Sequence, residues 1–266
     1  MKNSGRVFNI IGVALGLGGL ALTAFALVYV VKNHSFSRWD RFTPRMPWKE
    51  RERSMEGWGD RSSEKRSVAP FTSVEHKGIG DVHVTQGPER EVTVEARRRV
   101  LPMIETEVRG GELLIWDKGF SGFVGPIDIY LTMDSVEGLA VSGSGRIIGE
   151  DTISADELSL GISGSGDIAV HVEAEQVRTR VTGSGSLTIS GGAGVHEALI
   201  SGSGRIEGFG LETKRCEVKI AGSGRARLNV SDDLNAVITG SGNIEYKGNP
   251  RVRQKTFGSG SLLQVD

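Results

Sequence analysis

The tripeptide Gly-Ser-Gly begins at Gly143, Gly164, Gly183, Gly202, Gly222, Gly240 and Gly258, at intervals of 18 to 21 residues. A period in this range marks a repeat architecture, in which each unit buries its apolar face against its neighbours. Two residues before the first glycine of each copy stand Val141, Ile162, Val181, Ile200, Ile220, Ile238 and Thr256. Two residues past the second glycine stand Ile147, Ile168, Leu187, Ile206, Ala226, Ile244 and Leu262. Apolar residues thus alternate with polar ones on both sides of a fixed corner, the period of a β-strand with one face buried. A unit of about 19 residues fits one lap of a coil better than a hairpin, so the repeats are predicted to stack as parallel strands about 4.8 Å apart. The reading is an all-β, single-stranded parallel β-helix of about ten coils, roughly 50 Å long.

Each glycine of the corners has a structural role in this scheme: Gly143 and Gly145, Gly164 and Gly166, Gly183 and Gly185, Gly202 and Gly204, Gly222 and Gly224, Gly240 and Gly242, Gly258 and Gly260. A glycine accepts positive φ and, lacking Cβ, lets the next coil approach closely. The serine between them is small enough to stack on its own copies, with a hydroxyl placed to bond corner backbone. Upstream, "VEHKGIGDVHVTQG" (Val74 to Gly87) reads as a diverged copy, and three further alternating segments suggest irregular coils that close one end.

Two other regions precede the repeats. "NIIGVALGLGGLALTAFALVYVV", Asn9 to Val31, carries no charge; as a helix it extends about 34 Å, enough for a hydrocarbon core of about 30 Å. A cleaved leader is the rival, since Ala24-Phe25-Ala26 has the small-x-small form of a cleavage site, but "LVYVV" follows at once. An uncleaved membrane anchor over 1–32 is therefore expected. Residues 33–69 are charged and aperiodic and hold Trp39, Trp48 and Trp58. This is expected to be a juxtamembrane linker, either lying on the bilayer surface or solvated. Residues 70–266 form the solenoid. Lys32, Arg38, Arg41, Arg45, Lys49 and Arg51 follow the apolar run, against Lys2 and Arg6 before it. That bias favours a cytoplasmic solenoid, yet long domains translocate against it, so both sides stay open.

Several chemistries are disfavoured. The formal net charge is −1, which offers no overall attraction to nucleic acid. The single cysteine, Cys216, excludes an internal disulfide framework and is read as a buried small hydrophobe. No Gly-Ser-Gly opens a helix, so phosphate binding is not expected. The exposed position after each corner reads Arg146, Asp167, Ser186, Arg205, Arg225, Asn243 and Ser261. That column lacks the paired carboxylates of a polysaccharide-cleaving enzyme. The histidines show no ligand spacing, and neither metal nor cofactor is expected. Arg178, Arg180, Arg205, Arg225 and Arg227 recur on outward phases and are read either as a ligand-facing basic stripe or as an ordinary solvated face.

The pieces "FTSVEHKGIGDVHVTQG", "VRGGELLIW", "PIDIYLTM", the "ISGSGDI" series and "ITGSGNIEYKGNP" resemble the bacterial head GIN domain family of auto-transporter adhesins, over about Phe71 to Gly260. The resemblance implies a right-handed parallel β-helix exposed beyond the cytoplasmic membrane, and it carries over no catalytic residues. The expected function is a non-enzymatic module for binding, adhesion or scaffolding at the cell envelope. Its partners would be the membrane and an envelope glycan or protein. Self-assembly end to end through the last coil is the alternative, with a polysaccharide-active enzyme a more distant one.

Overall fold

The alternation about each corner is realised as stacked parallel strands. The computed structural model describes residues 61–120 and 124–266. These form β1 (Arg61–Lys65), β2 (Ser73–His76), β3 (Asp81–Gln86), β4 (Glu91–Arg97), β5 (Ile104–Arg109), β6 (Glu112–Asp117), β7 (Asp128–Met133) and β8 (Gly138–Gly143). The long strands of the repeats follow as β9 (Arg146–Gly164), β10 (Asp167–Gly183), β11 (Ser186–Gly202), β12 (Arg205–Gly222) and β13 (Arg225–Gly240). The last coil and a half comprise β14 (Asn243–Lys247), β15 (Arg251–Gly258) and β16 (Ser261–Gln264).

Corner stands on corner. Gly143, Gly164, Gly183, Gly202, Gly222, Gly240 and Gly258 are register partners from one coil to the next. Within the corners the backbone itself continues the ladder: Ser184 N–H donates to the Gly164 carbonyl at 2.9 Å, and Ser186 N–H to the Gly166 carbonyl at 3.2 Å. The corner serines are exposed, so the amides expected to need their hydroxyls are paired by the ladder instead.

The two glycines of a corner answer different constraints. Gly183 has φ +114 and a Cβ there would stand 2.5 Å from the Gly164 carbonyl oxygen. Gly204 shows no such φ, but its Cβ would point inward, 2.5 Å from Cγ1 of Val181 in the coil before. From Gly166 onward the β-branched residue of each coil therefore occupies the space left empty by the next corner, while His76 fills that place at Gly145. Behind it lie the buried columns Val141, Ile162, Val181, Ile200, Ile220, Ile238 and Ile147, Ile168, Leu187, Ile206, Ala226, Ile244, with each large member contributing about 1.5–3 kcal/mol by leaving water. The inward phase of β10 changes between Val172 and Val177, which marks a second bend that no glycine signature announces.

The end before the repeats departs from the expected pattern. Parallel pairing joins β2 to both β6 and β8, and β3 to both β7 and β9. The coil laid down first is thus enclosed between the next two. Beyond them β4 runs antiparallel to β7, β1 to β4, and β5 to β6. These strands close the stack, with Phe71, Val100, Leu101 and Ile104 buried beneath them. The solenoid therefore has about seven turns rather than ten, because antiparallel strands cover its end instead of lengthening it. Strand β1 starts at Arg61, so the sheet begins nine residues before the boundary expected at Pro70. The predicted membrane anchor lies outside the described residues, and among the described residues no helix is long and apolar enough to cross a membrane.

One inward column carries polar groups. His196 and Cys216 are register partners, both buried. Burial pushes the Cys216 thiol up to about 12, so it is neutral. His196 shares a 2.9 Å hydrogen bond with the Thr179 hydroxyl, and burial lowers its pKa to about 4. The unfolded chain takes up that proton near pH 6.5, so the stability that neutral His196 contributes is complete above about pH 7 and falls as pH drops from 6.5 toward 4.

Two measurements follow from this packing. Gly204→Ala is expected to lose about 2–3 kcal/mol in denaturant titration, with partial recovery on adding Val181→Ala, while Ser203→Ala changes stability by less than about 0.5 kcal/mol. Acidification from pH 7 to 5 should cost the wild type about 2 kcal/mol through His196. His196→Leu, which copies Leu234 of the same column, should shrink the accompanying fall in Tm by about 4–8 °C. Equal pH profiles would show that His196 protonates without unfolding.

Candidate functional site: a groove beside the corners

Outward positions on the strand face before the corners are set by register, so a residue type repeated over adjacent coils becomes a surface. Gly138 is paired with Ser159, and Ala140 with Gly161; these four small residues make a flat floor. On the next coil the same positions hold Arg178 and Arg180, paired with Ser159 and Gly161. Long side chains thus rise directly beside the floor, and Glu197, Leu199, Glu217 and Lys219 continue the wall. On the other side Ser73 neighbours Gly138, and Glu112 lies beyond it. The result is an open groove of about 1040 Å³.

Its electrostatics are mixed. Arg178 donates to Glu157 at 2.6 Å and lies 3.5 Å from Glu197, bridging three coils. Those carboxylates raise the arginine above its ordinary pKa, Glu157 most strongly. Lys219 pairs with Glu217 at 2.6 Å, which raises it in turn. Arg180 has no carboxylate at ion-pair distance among the described residues and remains available to a ligand. The floor is lined by backbone and hydroxyls. Small residues, a guanidinium and paired charges suit an extended polar chain better than a compact apolar molecule.

The five arginines read as one stripe are divided by the corner. Arg178 and Arg180 line the groove, whereas Arg205, Arg225 and Arg227 follow the corners on the other strand face. Arg205 and Arg225 are register partners and lack a carboxylate at ion-pair distance among the described residues. Arg227 is held by Glu245 at 2.9 Å and Glu207 at 3.2 Å, over the ring of Phe209. The fourteen corner glycines serve the fold and contribute no groove chemistry.

The described histidines have separate surroundings. His76 is buried against the corner carrying Gly145, with Nε2 3.2 Å from the Gly80 carbonyl; burial lowers its pKa. His171 Nδ1 is 2.7 Å from the Ser190 hydroxyl. His83 is held between Glu150 and Asp128 and stacked on Tyr130. Burial opposes its charge, but the hydrogen bonds to Asp128 and Glu150 prevail and raise its pKa to about 9. Asp128 is conversely lowered: burial opposes its ionisation, but the bonds from His83 and Arg61 outweigh it. Periodicity gave no hint of this cluster, since Asp81 and Asp128 come from coils stacked out of chain order.

Similar folds are known. A protein from Bacteroides fragilis described as a "putative adhesin" superposes with a TM-score of 0.73 at 19% identity, covering 78% of this chain and 98% of its own. A second "putative adhesin", from Parabacteroides distasonis, gives 0.62 at 28% identity, covering 79% and 98%. A "putative lipid binding protein" from the same organism gives 0.64 at 22% identity, with coverage of 79% and 98%. No curated protein matches the chain. The head GIN domain, described as "putative auto-transporter adhesin", matches residues 70–250, and the chain belongs to that family.

Proposed function

We propose that the protein is a non-enzymatic binding module of the bacterial cell envelope, held at the membrane by the apolar run Asn9–Val31. In this reading its solenoid receives an extended, polar envelope chain, a glycan, in the groove before the corners. The observation that carries it is the registered block Gly138, Ser159, Ala140 and Gly161 beside Arg178 and Arg180. A flat floor lets sugar rings lie close, and Arg180 offers a planar fork of donors to their hydroxyl or carboxylate oxygens. The adhesin descriptions of the family and of the similar structures support a binding role. Glu157 and Glu197 are both engaged by Arg178, an arrangement for holding shape rather than transferring protons.

A second reading is self-association through the last coil, which exposes Phe257 (63%) and Leu263 (59%). At the opposite end the edge strand β5 carries Glu105, Glu107 and Arg109, a charged edge that discourages strand addition. Closed pairs joined at the last coil fit this asymmetry better than an open filament.

Gly161→Phe separates these readings. A Cβ at Gly161 meets only the Ala140 Cβ, at 3.7 Å, so the ring fills the groove without disturbing the core. On columns of envelope polysaccharide, retention should fall at least about tenfold for Gly161→Phe and Arg180→Glu, and stay unchanged for the pair Arg205→Glu, Arg225→Glu. Retention indifferent to Gly161→Phe would remove the groove from consideration. Light scattering that shows a dimer abolished by Phe257→Ser would favour the second reading.

A further inference from the structure

On the strand face after the corners, Glu95, Asp128 and Asp81 stand side by side on β4, β7 and β3. Like charges opposite one another on neighbouring strands repel, so this row requires cations. Arg61 bridges Glu95, at 3.3 Å, and one carboxylate oxygen of Asp128. Arg146 lies 3.6 Å from one oxygen of Asp81. Glu150 adds a further carboxylate, 2.6 Å from Nδ1 of His83. Around His83 therefore stand the carboxylates of Glu95, Asp128, Asp81 and Glu150 with the guanidiniums of Arg61 and Arg146.

The geometry points to a divalent transition-metal site formed by Nε2 of His83 and the carboxylates of Asp128 and Asp81, with Glu150 as the positioning residue. The short contact to Glu150 holds a ring proton on Nδ1 and aims Nε2 at Asp128, where a metal ion would take the place of the Nε2 proton. That arrangement, a carboxylate behind a histidine whose other nitrogen faces outward, fixes the tautomer of metal-ligating imidazoles. Nε2 and Asp128 Oδ1 are 3.4 Å apart, long for an N–H···O bond. Two atoms each about 2.1 Å from one ion at the tetrahedral angle are separated by about 3.4 Å.

Arg61 grips the other oxygen of Asp128 and leaves Oδ1 facing the ring. The candidate donor atoms of Asp81, His83 and Asp128 all lie within 4.8 Å of one another. Asp81 is part-exposed and only loosely paired to Arg146, so a side-chain rotation brings its carboxylate onto the ion. One imidazole with two carboxylates suits a borderline ion such as Zn²⁺ or Mn²⁺ more than Ca²⁺, which prefers six or more oxygens. A divalent ion offsets the repulsion between the neighbouring carboxylates of Asp81 and Asp128. His83 is 4% exposed, and its stacking on Tyr130, with ring centroids 4.8 Å apart, holds the donor in place.

The test is isothermal titration of the full chain, freed of metal by chelation, with Zn²⁺, Mn²⁺ and Ca²⁺ in turn, and visible spectroscopy with Co²⁺. One Zn²⁺ or Mn²⁺ per chain is expected, at least tenfold tighter than Ca²⁺, with Co²⁺ bands of low coordination number. Asp81→Asn, at a part-exposed position where folding is not at stake, and His83→Gln should each weaken binding at least tenfold. Glu150→Gln should weaken it by about 10- to 100-fold. Absence of saturable uptake would reduce the cluster to a closed set of ion pairs and overturn the proposal. Uptake unchanged in Asp81→Asn and His83→Gln would overturn it equally, by placing the ion elsewhere.

Discussion

The solenoid depends on an absence: each corner has no Cβ where the coil before it thrusts a side chain, β-branched at every corner after the first. Ile162 fills the place opened at Gly185, Val181 that at Gly204, and Ile200 that at Gly224. Because the clash distances there are near 2.5 Å, the corner has no freedom to accept even an alanine without moving backbone. Ladder spacing, column register and the coil-to-coil alignment of every outward side chain follow from that contact. The serine between the glycines, equally repetitive in sequence, faces solvent and bears on stability much less.

Register is what turns a repeat into a surface. Small residues on adjacent coils at equal phase give the groove floor, and a change to arginine one coil later gives its wall. The same logic on the other side of the corner brings Glu95, Asp128 and Asp81 into one row, where repulsion has to be answered by Arg61, Arg146 and His83. Two surface features of different character thus arise on one scaffold without any local motif.

The regular coils were legible because glycine spacing and apolar alternation report a physical period directly. Strand direction was not: Val92, Val94 and Ala96 of β4 alternate like any coil strand and are buried likewise, yet β4 runs antiparallel, so the coil number was overestimated. The outward phase of the five arginines was readable, but the side of the corner on which each falls decides whether they meet. Gly161 carried no signal of its own; it matters only because Ala140 and Arg180 flank it in register. Asp81 and Asp128 lie far apart in sequence and become neighbours only through the inverted order of two coils.

That inverted order bears on how the molecule is assembled. The coil of β2 and β3 sits between strands contributed by residues that come later in the chain, β6 and β7 on one flank and β8 and β9 on the other. A chain emerging from its amino terminus, from a ribosome or through a translocation pore, therefore cannot wind up in one direction from its first lap. Its early strands find partners on one flank once β6 and β7 have arrived, and the other flank is closed only by β8 and β9, so the enclosed lap becomes a clasp from which the remainder of the solenoid grows onward.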